Sequence, residues 1–285
     1  MILGPRRGRF FDAQGEPLDT PKPFPGHSVA LQVLGYVFLV LLYPLNKFFD
    51  SVDVEKNCFL LLCISFGLTK GHFLFLCCRT MILWYGWFGF NPGSALVLGI
   101  DNAGSVAATA AVSTALAGAA GGVCALFTHL FLEERRTGEP KFDLGMCFNG
   151  ALSGLVGITS GCGVVEPWAA VLIGIMAGWC YMWSSNLLIR LRVDDAVDAI
   201  PVHMFNGIWG VLATGFVASP RLMEEAYGTG EYPGLFYALA NGTFRANLLG
   251  AQVVLVLFVC GWTLFTMMPF FIWLNYKVRE MIEIE

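Results

Sequence analysis

An all-α polytopic membrane protein is the fold class that three features of this 285-residue chain predict. Hydrophobic residues make up 56% of it and charged residues only 13%, against about 25% charge in an ordinary soluble domain. Six long stretches are almost free of charge, at about 80–98, 102–131, 144–162, 165–189, 197–218 and 247–275. A helix needs about 20 such residues to cross a bilayer. The 33 glycines are spread through those stretches rather than gathered in linkers, which lets membrane helices approach closely. The net charge of −4 comes with no basic run of the kind that tracks phosphates, so no nucleic-acid partner is expected.

The segments follow in order. Met1-Ile-Leu-Gly-Pro-Arg-Arg-Gly-Arg9 has no apolar core ahead of its charges and is neither a signal nor a transit peptide. It reads as a helix tail and a basic loop, so 1–26 is expected to be a cytoplasmic loop within a longer protein. Apolar pieces at 27–35 and 80–98 flank a stretch, 36–79, rich in Phe, Leu and Cys and poor in glycine. The bundle then occupies 99–275. Span 144–162 is rich in Gly and Ser, and span 197–218 contains Pro201, His203 and Asn206. Such weak spans persist where other helices shield them, so both belong inside the bundle. A loop follows at 219–246, and 276–285 is a short tail.

The loops carry an orientation. One side collects Arg6, Arg7, Arg9, Lys22, Arg135, Arg136, Lys141, Arg190, Arg192, Lys277 and Arg279, and the other has Arg221 and Arg245. The positive-inside rule makes the first side, with the C-terminus, cytoplasmic. The 219–246 loop is then external, where the sequon Asn241-Gly-Thr243 is open to glycosylation. Nine cysteines include no CxxC pair and mostly lie in apolar spans. They read as buried small thiols, with no metal site and no cofactor expected.

Several residues carry chemistry. Phe90 and Ser94 are four apart, on one helix face near the external end. An aromatic ring attracts a cation by about 0.5–2 kcal/mol, and a hydroxyl accepts a hydrogen bond. The same pair also reads as core packing with a back-bonded hydroxyl. His203 lies about eight residues into its span, roughly 12 Å from the cytoplasmic helix start, where a neutral imidazole offers one donor and one acceptor. Asp194, Asp195 and Asp198 open that helix and suit its free amides and dipole, with Arg190 and Arg192 as partners at the membrane surface. Gly118/Gly122, Gly150/Gly154 and Gly174/Gly178 are Gly-x-x-x-Gly pairs, fit for packing within the bundle or for contact between subunits. No paired catalytic carboxylates and no nucleophile with a base are present, so the chain is not read as an enzyme.

An ordered set of motifs resembles the ammonium transporter family (Amt/Mep/Rh), nearest its eukaryotic Amt branch. They are Gly4-Pro-Arg-Arg-Gly-Arg9, Phe24 to Gly35, Trp87-Phe-Gly-Phe-Asn-Pro-Gly-Ser94, Asn149 to Thr159, and Asp194 to Gly207. The resemblance implies helices six to eleven of an eleven-helix fold, with the first half absent and extra helical segments from 36–79. In the family, Gly35 would run directly into Thr80, so 36–79 reads as a translated intron or gene-model error. Finding the stretch in mature message would refute that. The resemblance also implies ammonium or ammonia as cargo and a lipid bilayer, most naturally the plasma membrane, as the setting. It places Trp87, Phe90 and Ser94 at an external recruitment site, with His203 as one of twin pore histidines. Asp194, Asp195 and Asp198 become an acidic turn that positions the pore helix, and the assembly a homotrimer or one with full-length relatives. A non-transporting fragment or an ammonium-sensing subunit is the alternative. As written, the chain is expected not to restore ammonium uptake, since half of such a pore wall is missing.

Overall fold

The computed structural model describes residues 71–97, 102–195 and 197–282. Within them the protein is helical. Helix α1 spans Gly71–Val97, α2 Ala103–Thr137, α3 Leu144–Thr159 and α4 Pro167–Leu191. A π-helical turn at Ile200–Phe205 leads into α5, Asn206–Val217. Two short helices follow, α6 at Pro220–Tyr227 and α7 at Leu235–Ala240, before α8 at Asn247–Ile282. Among the described residues, four spans are long and apolar enough to cross a bilayer: Ala103–Thr137, Pro167–Leu191, Ile200–Val217 and Asn247–Leu274. This is an all-α polytopic membrane fold.

Local chemistry sets the boundaries. Asp143 caps α3, its Oδ1 accepting from the Gly145 and Met146 amides at 2.8 and 3.3 Å. Gly138 closes α2 at φ 81°, a conformation that costs glycine nothing. Helix α2 runs six residues past the expected 131, because Glu133, Glu134, Arg135 and Arg136 are good helix formers. Helix α8 likewise continues to 282, where a tail was expected from 276. Helix α1 begins at Gly71, inside the 36–79 stretch, and passes through Thr80 unbroken, since Phe, Leu and Cys all permit a helix there. Segments 1–26 and 27–35, and the part of 36–79 before Gly71, lie outside the described residues.

Helix α3 is the inner element. Its buried residues run from Gly150 to Ile158 almost without interruption, so the Gly/Ser-rich span is enclosed by its neighbours. The glycines make this possible. A Cβ on Gly154 or Gly174 would press on the Ala117 carbonyl, and one on Gly150 or Gly178 on the Gly121 carbonyl. All three Gly-x-x-x-Gly pairs therefore contribute to contacts among α1, α2, α3 and α4 within the chain. Leu152, Leu155, Tyr181, Met182 and Val202 fill the space between those backbones. By contrast, α8 leaves Leu257, Phe258, Trp262 and Phe265 exposed, an apolar surface matched to lipid tails.

The bundle has two chemically distinct ends. Arg135 and Arg136 occupy the last turn of α2, and Arg190 that of α4. The opposite end carries α6 and α7. There an antiparallel bridge joins Val165 to Ala218, and the Ser219 amide donates to the Val164 carbonyl at 2.8 Å.

Candidate functional site

A cavity of about 60 Å³ opens at the α6 end, lined by Phe90, Asn91, Ser94, Thr159, Cys162 and Tyr227 among others. Helix α1 brings its polar groups there in one turn. Pro92 has no amide to donate to the preceding turn, so the helix ladder is one rung short at this level. The Ser94 hydroxyl donates back to the Phe90 carbonyl at 2.6 Å. That bond uses the only hydroxyl proton, so Ser94 has lone pairs left to accept another donor. Asn91 is buried and donates to Thr114 Oγ1 at 2.9 Å. Trp87 lies beside Phe90, ring centroids 6.2 Å apart, and its Nε1–H donates to Thr159 Oγ1 at 2.9 Å. Thr159 in turn donates to the Leu155 carbonyl at 2.7 Å.

The structure thus brings Phe90 and Ser94 to one cavity with acceptors on its wall, while Trp87 does not line it and stands behind, against Phe90 and Thr159. Removing the indole donor tests the Trp87–Thr159 link. Trp87→Phe is expected to cost about 1 kcal/mol of stability, read as a lower unfolding temperature in detergent. Asn91, Thr159 and Tyr227 were not singled out from sequence. Asn91 and Thr159 lie inside the quoted motifs and could have been noted as hydroxyl and amide groups at membrane depth. Tyr227 gives no such signal, because it reaches the cavity only through tertiary folding.

His203 is placed elsewhere. It sits in the π-helical turn, an exposed position, and does not line the cavity of Phe90 and Ser94. The turn starts at Ile200 rather than near 197, so His203 is only about 5 Å from its own helix start. The start itself is sunk into the bundle, however. Trp209 Nε1 donates to the Ile173 carbonyl at 3.1 Å, a point about 27 Å along α4 from Leu191. His203 is six residues earlier and so lies about 18 Å from that end, near the middle of the ~37 Å length of α4. Mid-depth is therefore reached by recession of the helix start, not by length of helix. Wide turns of this kind recur at functional positions. Here the Asn206 side chain donates to the Pro201 carbonyl at 2.9 Å and supports the turn from within.

The three aspartates separate into different tasks. Asp195 is the cap, its two oxygens accepting from the Ala199 and Ile200 amides at 3.0 and 2.7 Å. Asp194 is exposed. Asp198 adopts φ 54°, rare for a residue with a side chain, and turns its carboxylate into the bundle. It accepts from Tyr181 at 2.9 Å, Ser185 at 3.1 Å and Asn149 at 3.3 Å. Asn149 Oδ1 accepts from Arg79 at 3.2 Å, which adds a cation to the cluster. The expected partnership of Arg190 and Arg192 with these aspartates does not form among the described residues. Arg192 instead ends α4 with φ 56°. Asn241 is exposed at the end of α7, on the cavity side of the bundle.

Comparison with known proteins bears on the family and the fold. The sequence model of the Ammonium Transporter Family matches residues 68–284. "Ammonium transporter 1 member 1" of Oryza sativa subsp. japonica is 38% identical over 211 residues, 71% of this chain and 40% of the relative. The crystal structure of Saccharomyces cerevisiae Mep2 superposes with TM-score 0.54 at 31% identity, covering 65% of this chain and 39% of that one. A solved "Sensor Amt Protein" superposes with TM-score 0.54 at 30% identity, covering 69% and 42%. The chain thus spans about two fifths of the length of these relatives. With its membrane-crossing helices and a family match over most of its length, the chain belongs to the Ammonium Transporter Family.

Proposed function

We propose that this chain takes part in moving ammonium across a membrane, recruiting it at the cavity lined by Phe90 and Ser94, with Trp87 beside Phe90, and passing it, as ammonia or with a relayed proton, along a pore wall that includes His203. One observation carries the reading. The Ser94 hydroxyl gives its proton to the Phe90 carbonyl and so has an acceptor to offer in the cavity that it lines with the Phe90 ring, which Trp87 backs. An ammonium ion has four N–H donors and a charge that aromatic faces attract. Potassium has the charge but no hydrogen to donate, so the same cavity favours ammonium. A site that keeps only a neutral species on the onward path avoids the cost of holding an ion at bilayer centre, about 2.5 to 17 kcal/mol.

The test is methylammonium binding to the purified chain in lipid nanodiscs, followed by titration calorimetry. Ser94→Ala and Phe90→Ala are expected to weaken binding about five- to tenfold each, matching loss of one hydrogen bond or one cation–aromatic contact. Unchanged binding in both variants refutes the site. His203 faces a side that the described helices leave uncovered, and transport needs a facing wall. The chain alone is therefore expected not to restore growth of cells that lack ammonium uptake.

The membrane is the plasma membrane in this reading, the basic end faces the cytoplasm, and the α6 end faces outward. Asn241 makes that orientation measurable. In a glycosylating host, Asn241→Gln is expected to abolish a shift of one glycan in gel mobility. A parent chain that carries no glycan while inserted contradicts the external placement. Assembly as a homotrimer, or with full-length relatives, belongs to the same reading. The second reading is a non-transporting or ammonium-sensing subunit, favoured by the similarity to the Sensor Amt Protein and by the uncovered face of His203.

A further inference from the structure

The recruitment cavity has a wall that comes from outside the α1 motif. Tyr227 and Ala226, at the end of α6, line it together with Phe90 and Ser94. Helix α6 lies over the bundle end, with Met223 and Ala226 packed on Ala95 of α1, Val106 of α2 and Leu248 of α8. Its start is tied down by a polar clasp. Glu166, the residue before α4, accepts from Ser219 Oγ at 3.1 Å, and Arg221 Nη2 donates to both Glu166 oxygens at 3.1 and 3.4 Å. Arg221 Nη1 also lies 3.9 Å from Glu225. The Val165–Ala218 bridge and the bond from the Ser219 amide to the Val164 carbonyl fix the backbone beneath the clasp.

Tyr227 has a second boundary. With Ser160 and Val164 it also lines a smaller void of about 10 Å³, whose far side is Thr214 and Gln252. That void is about the size of a single water. Tyr227 therefore borders both cavities, as Ser160 and Val164 do, and truncating it enlarges both.

We infer that Tyr227 is a specificity-determining wall of the recruitment cavity and that Glu166, through Ser219 and Arg221, is the positioning residue that holds it there. This rests on the reading of the cavity as an ammonium site. The physical reason is volume. A cavity of about 60 Å³ bounded by a fixed ring admits ammonium and methylammonium more readily than ions with more methyl groups. If the wall recedes, the extra methyls are no longer excluded.

Two measurements on the full chain in nanodiscs decide it. The first uses no ammonium. Cys162 is among the residues that line the same cavity, and its side chain packs against the core behind it, so slow labelling by a small cationic thiol reagent, located by peptide mass spectrometry, is expected to speed up when the wall loosens. Glu166→Ala is expected to speed Cys162 labelling about fivefold, the scale of an ion pair at a partly exposed site. Glu166→Gln, which keeps an acceptor for Ser219, is expected to fall between the two. The charge-swapped double variant Glu166→Arg with Arg221→Glu is expected to restore the parent rate. Arg221→Gln alters only an exposed side chain and serves if Glu166 variants do not fold. The second compares binding of methylammonium and dimethylammonium. Tyr227→Ala is expected to raise the ratio of dimethylammonium to methylammonium affinity about tenfold, while Tyr227→Phe leaves it near the parent value.

Parent-rate labelling in both Glu166→Ala and Arg221→Gln overturns the clasp. An unchanged affinity ratio in Tyr227→Ala overturns the wall. If labelling accelerates but the parent chain binds neither amine, the recruitment reading itself is wrong, and the inference falls as a statement about ammonium while the clasp stands as geometry.

Discussion

Replacing Gly154 by leucine is expected to separate α2, α3 and α4. The Ala117 carbonyl of α2 is approached by Gly154 from α3 and by Gly174 from α4, and even a Cβ at either position presses on it. A backbone carbonyl cannot rotate away as a flexible side chain does, so the helices themselves must shift. Overpacking of this kind costs about 1–3 kcal/mol for a few added atoms. Gly154→Ala is therefore expected to lower stability by about 2 kcal/mol, and leucine to exceed what the bundle tolerates. Thermal unfolding of the detergent-solubilised chain, with the monodisperse fraction from gel filtration, checks both. The double variant Gly154→Ala with Gly174→Ala is expected to cost less than the sum of the singles, because both act on the same carbonyl. Additive losses would mean that the two contacts are independent.

The second large effect belongs to Asp198. Its carboxylate collects hydrogen bonds from Tyr181, Ser185 and Asn149, and hydrogen bonds to a charged acceptor are worth about 1.5–3 kcal/mol each. Alanine removes the acceptor of Tyr181 and Ser185, leaves Asn149 only its bonds to Tyr181 and Arg79, and keeps the strained φ of 54°. The expected loss is about 3–5 kcal/mol, the range for breaking a buried charged cluster. Asparagine tolerates the left-handed region and retains one acceptor oxygen, so Asp198→Asn is expected to lose about half as much. Glycine relieves the backbone but restores no acceptor. Should Asp198→Gly prove as stable as the parent, the backbone rather than the hydrogen bonds dominates. Denaturant-induced unfolding of the three variants side by side separates these cases.

Much of this was legible in the sequence, and the exceptions share a cause. Low charge and long apolar runs give the membrane-crossing helices, because the bilayer dictates length and composition directly. The motif around Trp87 to Ser94 was legible because four-residue spacing puts Phe90 and Ser94 on one face without help from the rest of the fold. Asp198 was taken as a cap along with Asp194 and Asp195, since all three precede a helix. Its inward turn depends on Tyr181 and Ser185 of the preceding helix and Asn149 of the one before, and no local pattern records that. Tyr227 and Glu166 were missed for the same reason, for their partners are 50 or more positions away. Helix within 36–79 was expected from its composition, and α1 continues from it through Thr80 because a seam in composition is not a seam in helix propensity.

The wide turn at Ile200–Phe205 has a consequence for anyone who edits this helix. It stores one residue more than an ordinary turn, so the rungs above and below it are out of phase by about 100°. A helical wheel drawn straight from Asp198 to Val217 assigns the wrong side to one half or the other. Deleting a single residue here would convert the turn to regular α-helix and swing His203 by that angle relative to Trp209, yet remove no functional group. The direction in which the imidazole points is thus stored as a surplus of chain length, not as a contact of the ring.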